Sequence, residues 1–169
     1  MNNVINKTII MAILFSMNAF SQNISLSRDV IDDMKFMVEE EKLARDVYEY
    51  LDETWNLRVF NNIKESEQRH MEKLENLLNT NKITYQLSDK KGVFYNEELQ
   101  KMHNDLVEKG SKSINDALEV GKHIEVTDIN DLENAIKNTN DAYIKQVYSN
   151  LLRASENHLQ AFTRQLTKY

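Results

Sequence analysis

Four apolar stripes at helical spacing constrain this 169-residue chain more than any other feature. The first runs Val30, Met34, Met37, Glu41, Ala44, Tyr48, Leu51, Trp55, and the second Phe60, Ile63, Glu67, His70, Leu74, Leu77. The third is Ile114, Leu118, Gly121, Glu125, Asp128, Leu132, Ala135, and the fourth Ile144, Tyr148, Leu151, Ser155, His158, Phe162. Steps of three and four residues put each set on one face of an α-helix. The chain has no proline and only three glycines, and it is poor in strand signals, so an all-α fold is expected.

Capping signals bracket the stripes. Ser27 can cap the first helix, with Asp29, Asp32 and Asp33 placed well against its N-terminal dipole. The second helix should span about Val59 to Asn79. Residues 81–95 lack helical period and read as a connection. A short helix from Asn96 to Lys109 follows, with Gly110 expected as a left-handed stop. Ser113, with Asp116 three residues on, starts the third long helix. A break over residues 137–141 precedes the fourth. The longest connection thus lies between long helices two and three, as in four-helix bundles with one crossover.

Residues 1–21 read as a secretory signal peptide: Lys7, an apolar run from Ile9 to Phe20, then an A-x-S pattern before Gln22. The run is short for a membrane span and is interrupted by Ser16 and Asn18, which favours cleavage over anchoring. Export to the periplasm or outside the cell is expected, with residues 22–169 as one domain. The net charge of −6 and the absence of a basic patch argue against nucleic acid and anionic membrane as partners. Zero cysteine removes disulfides, thiolate metal sites and thiol nucleophiles together.

Each stripe is interrupted near its middle by residues that can ligate a hard metal: Glu41, then Glu67 and His70, then Glu125 and Asp128, then His158. An unpaired buried carboxylate costs several kcal/mol, and several at one level repel one another. Two divalent ions would neutralise four carboxylates, with neutral imidazoles completing the coordination. Glu67 and His70, three apart, share a helix face and can reach one ion. Oxygen-rich ligation with one imidazole per ion suits iron or manganese, and the lack of sulfur disfavours structural zinc.

This arrangement resembles the ferritin-like superfamily, and rubrerythrin-like di-iron bundles in particular. There one helix gives a Glu and its partner Glu-x-x-His, and the pair is repeated in the other half. Glu41 with Tyr48 resembles the first-helix Glu…Tyr pair, E-S-E-Q-R-H supplies Glu67 and His70, and I-E-V-T-D supplies Glu125 with Asp128 beside it. The stretches EEEKLARDVY, LRVFNNIKESEQRHM, GVFYNEELQ and NLLRASENHLQAF are similar to an uncharacterised family of bacterial and archaeal ferritin-like proteins. The likeness covers about Met34 to Phe162. It implies a ferritin-like four-helix bundle whose crossover contains the short extra helix. It also implies two iron ions, with manganese as the alternative, and ferroxidase- or peroxidase-like chemistry with oxygen or peroxide.

The fourth helix departs from that pattern. It reads S-E-N-H, so Ser155 stands where a second bridging Glu is expected. Glu156 lies about 100° around the helix and is poorly placed to substitute. Asp128 could fill the space that Ser155 leaves; it could equally be a helix N-cap after a break at Val126, or support a ligand histidine. Tyr48 is expected in the core, its hydroxyl available to a ligand carboxylate. Glu39 and Glu40 read as a solvated charge run, and His103 and His123 as surface residues.

Without cysteine the chain has no rubredoxin-like iron centre, so sustained turnover would need an external electron donor. Helix faces could pair two copies into a homodimer. The competing readings are a non-catalytic metal-binding or structural helical module, which Ser155 favours, and a plain helical interaction domain with a metal-free polar core.

Overall fold

A computed structural model describes residues 26–169 and is all-helical, with five helices and no strand among the described residues. The signal-peptide reading falls on residues outside them. None of the described helices is long and apolar enough to cross a membrane. The helices are α1 (Arg28–Trp55), α2 (Arg58–Thr80), α3 (Glu97–Gly110), α4 (Ile114–Asn138) and α5 (Ala142–Leu166).

Side chains fix the starts of four helices. Ser27 Oγ accepts from the Val30 amide, Asn96 caps α3, and Asp141 caps α5 through the Tyr143 and Ile144 amides. Ser113 Oγ accepts from the Asp116 amide at 3.0 Å and donates to the Asp116 carboxylate at 2.6 Å. α4 is unbroken, so Asp128 lies inside a helix and is no N-cap.

Gly110 does not act as a left-handed stop. It is the last residue of α3, and Ser111 beyond it keeps right-handed dihedrals. Its lack of a side chain serves packing instead, because a Cβ there would come within 2.6 Å of Leu51 Cδ2. The Trp55 indole donates to the Gly110 carbonyl at 2.8 Å, tying α1 to the end of α3.

α1 packs along α2 and α4 along α5, and the two pairs meet through α1–α4 and α2–α5, a packing that fits a helical bundle. α3 lies in the crossover from α2 to α4 and packs on α1 and α4. The apolar core is split in two. One cluster centres on Tyr48, Phe60, Leu118 and Phe162, the other on Met34, Leu74, Leu132 and Leu151. Every long helix passes from one cluster to the other at its ionisable residues, so the four interruptions form a single polar layer across the core.

The crossover is held by charged residues of α1 that lie off its main stripe. Glu39 is buried, and its carboxylate accepts from the Tyr95 and Asn96 amides at 2.6 and 3.1 Å, which corrects its reading as solvated. Lys42, 1% exposed, donates to Asp46 at 2.6 Å and to the carbonyls of Lys90 and Val93. Its ammonium also lies 4.4 Å from the centre of the Phe94 ring. Asp46 in turn accepts from the Gly92 amide at 2.9 Å. Gly92 has φ +67°, a left-handed conformation that glycine adopts without strain. His103 is half-buried against Phe94, whereas His123 is exposed as expected.

Candidate metal centre

The polar layer gathers the interrupting residues of all four long helices. Glu41, Glu67, His70 and Glu125 are each 2% exposed, and His158 is half-buried at the edge. The Glu-x-x-His spacing on α2 aims both side chains at the same space, as helical geometry requires. Glu67 stands between the two histidines. Its Oε2 lies 2.8 Å from His70 Nδ1 and its Oε1 2.8 Å from His158 Nδ1. Glu41 Oε2 approaches His70 Nδ1 at 3.3 Å, and Glu125 Oε2 approaches His158 Nδ1 at 3.4 Å. The imidazoles stack with centroids 5.7 Å apart and planes inclined by 22°.

Two triads result, Glu41–Glu67–His70 and Glu67–Glu125–His158, each offering donor atoms within 4.8 Å of one another. The halves share Glu67. His158 Nδ1 and Glu67 Oε1, although close, form no directed hydrogen bond, and Glu41 Oε1 has no partner at all. Buried polar atoms that converge without bonding one another are what a shared cation would satisfy. The donor set fits a hard or borderline divalent metal: carboxylate oxygens, one imidazole nitrogen per triad, no sulfur.

Electrostatics point the same way. Burial pushes Glu41 up to about 8, against the pull of His70. Burial and the Glu67 charge raise Glu125 to about 7. Burial would raise Glu67 too, but the two imidazoles hold it down at about 2. Burial alone would depress the histidines, yet the flanking carboxylates lift His70 to about 11 and His158 to about 10. Without a metal, this layer is therefore buried only with protons in the place of cations.

The remaining expected residues lie at its margin. The buried Tyr48 hydroxyl donates to Glu125 Oε1 at 2.6 Å, with the Gly121 carbonyl 3.3 Å away. Gly121 leaves room for Phe162, whose ring a Cβ would meet at 2.4 Å. Ser155 is fully buried and donates to the Leu151 carbonyl at 3.2 Å. Asp128 is buried, belongs to neither triad, and has the Ser155 hydroxyl within reach of its carboxylate. Burial and the charges of Glu41 and Glu125 push Asp128 well above the usual carboxylate range.

One residue was missed by sequence reasoning. Glu40 is 5% exposed rather than solvated, and its Oε2 has no hydrogen-bond partner. With Glu41, Glu67, Glu125 and Asp128 it lines a cavity of about 10 Å³. That is room for roughly one water or small ion. The stripe of α1 gave no sign of it, because Glu40 faces α4 from beside the seam.

Comparisons with known proteins place this chain among similar sequences and beside a similar solved structure. The family model described as "Uncharacterized protein domain (DUF2202)" matches residues 30–169. The uncharacterized protein MJ0754 of Methanocaldococcus jannaschii is 49% identical over 134 residues, covering 79% of this chain and 72% of that protein. The crystal structure of hypothetical protein MJ0754 from Methanococcus jannaschii superposes with a TM-score of 0.84 at 46% identity. It covers 85% of this chain and 83% of that one.

Proposed function

The chain belongs to the DUF2202 family, and from that premise we propose that it is a ferritin-like protein with a dinuclear carboxylate–histidine metal centre that reacts with oxygen or peroxide. The observation that carries this reading is Glu67, whose two oxygens each lie 2.8 Å from a different histidine. Glu41, Glu67 and His70 would hold one ion, and Glu67, Glu125 and His158 the other. Three carboxylates leave two divalent ions one charge short of neutrality. Asp128, tucked against Ser155, supplies the fourth, so α4 provides the charge that S-E-N-H on α5 lacks. Iron, or manganese in its place, would supply one-electron redox at each position.

The surrounding chain determines what can react there. A cavity of about 10 Å³ has room for a water-sized species or a metal ion and is far too small for an organic substrate. Two apolar clusters seal the layer from above and below, which keeps bulk water away. Tyr48 fixes one oxygen of Glu125 and so orients the other toward His158. Without cysteine the chain carries no thiolate-ligated iron centre of its own, so a ferroxidase- or peroxidase-like reaction would draw its electrons from the bound metal or from an external donor. Lys7 and the apolar run to Phe20 support export as a signal-peptide-bearing protein, and a homodimer through helix faces is compatible with this reading.

Metal analysis of untagged protein tests it. About two iron or manganese per chain, with peroxide consumption above that of the free metal, is the expected result. Metal-free protein whose thermal stability is unchanged by iron or manganese would overturn it. Ser155 and the small cavity favour a second reading, a non-catalytic bundle stabilised by metal; bound metal without peroxide or oxygen consumption would select it.

A further inference from the structure

Glu40 is a buried carboxylate that the dinuclear reading does not use. Besides burial, the groups that act on it are Asp128 and Asp131, both acidic, with the Asp131 carboxyl within hydrogen-bonding reach, and it takes part in no ion pair among the described residues. Its Oε2 is buried without a partner in the wall of the same small cavity that Glu41, Glu67, Glu125 and Asp128 line. Asp131, one turn beyond Asp128 on α4, is half-buried and carries the row of carboxylates outward. Glu41, Glu40 with Asp128, and then Asp131 thus form a graded series between α1 and α4, from fully enclosed to partly solvated.

We propose that Glu40 and Asp131, with Asp128 between them and the centre, form a loading position for divalent cations at the α1–α4 seam. This rests on the dinuclear reading above and adds the route by which it is filled. A hydrated divalent ion would meet Asp131 at the surface and exchange water for the carboxylates of Asp131 and Glu40. Asp128 would then pass it to Glu41 and Glu125. No electron or covalent step is involved; waters leave and carboxylate oxygens replace them. Unlike those of either triad, the donor atoms of these three residues do not all lie within 4.8 Å of one another.

The test is stopped-flow uptake of Co²⁺, followed by its visible absorption, into full-length metal-free protein. Glu40→Gln should slow uptake about tenfold and Asp131→Asn severalfold, both reaching the wild-type endpoint. Glu133→Gln, on the exposed face of the same helix, should load at the wild-type rate. Wild-type rates in both Glu40→Gln and Asp131→Asn would overturn the proposal. So would a lowered endpoint in Glu40→Gln, which would make Glu40 a ligand of the centre itself. If Glu40→Gln does not fold, the half-buried Asp131→Asn decides alone. A wild-type chain that takes up no Co²⁺ would remove the centre and its loading position together, a failure readily told from a change in rate.

Discussion

Glu67 occupies a position where helical periodicity calls for leucine, and its two oxygens explain why. A leucine would pack well between the apolar clusters, but it would leave His70 and His158 flanked only by Glu41 and Glu125. Glu67→Gln keeps the volume and removes the charge that both triads share. It should therefore cost metal at both positions, and at least tenfold in affinity, the low end of what even an indirect ligand partner contributes. Glu41→Gln touches one triad only and should leave about one ion per chain. Metal content after dialysis against a range of free metal separates these outcomes; equal losses in the two variants would show that Glu67 is not shared. Both residues were legible from sequence, because a charge on an otherwise apolar stripe stands out. Glu40 was not, because it lies off the stripe and its burial depends on α4.

The helices themselves were readable from spacing and caps, and Ser27, Ser113 and the 81–95 connection fall where expected. What periodicity missed is the rest of α1. A stripe reports the face turned to the core, whereas α1 is also covered by α4 and by the crossover. Glu39, Lys42 and Asp46 look like surface charges in sequence and are buried by that covering. Breaking a buried pair by removing one partner costs about 3–5 kcal/mol, so Lys42→Met should destabilise strongly in chemical denaturation. Asp46 adds a pH signature. Burial would raise it, but Lys42, the Gly92 amide and Arg45 together hold it below the usual carboxylate range. A depressed carboxyl stabilises above its unfolded value and loses that contribution as pH falls through its folded one. Wild type should therefore lose more stability than Asp46→Asn below about pH 4, the ordinary carboxylate value, with the 81–95 amides showing it first in hydrogen exchange. Gly121 was counted merely as a stripe residue, and its meaning is the ring of Phe162. Gly121→Ala should cost about 1–3 kcal/mol by overpacking, read as a lowered denaturation midpoint.

At the scale of the whole molecule, a continuous apolar core would be the cheaper design, since a polar layer must be neutralised wherever it is buried. Protons can do this, and so can metal ions, and the two compete. Glu41, raised to about 8, and Glu125, raised to about 7, each favour the folded metal-free chain while protonated. That advantage is present below the ordinary carboxylate range and fades as pH rises through 7 and 8. The histidines, raised to about 11 and 10, add stability that is full below their unfolded value and is lost only as pH climbs toward those values. Between pH 6 and 8 the unfolded chain loses the histidine protons that the folded chain keeps, and Glu41 and Glu125 begin to ionise. Both kinds of group act in the same direction, so the metal-free protein should weaken as pH increases. Metal binding requires ionised carboxylates and neutral imidazoles, so it releases protons and tightens over the same interval. The rise in Tm on adding Mn²⁺ should accordingly be larger at pH 8 than at pH 6. At a free metal concentration 100 times Kd the added stability is about 2.7 kcal/mol, enough to resolve by calorimetry. A Tm increment that shrinks with pH, or uptake without proton release in buffers of different ionisation enthalpy, would mean that the layer is neutralised by its own hydrogen bonds and that metal binds elsewhere.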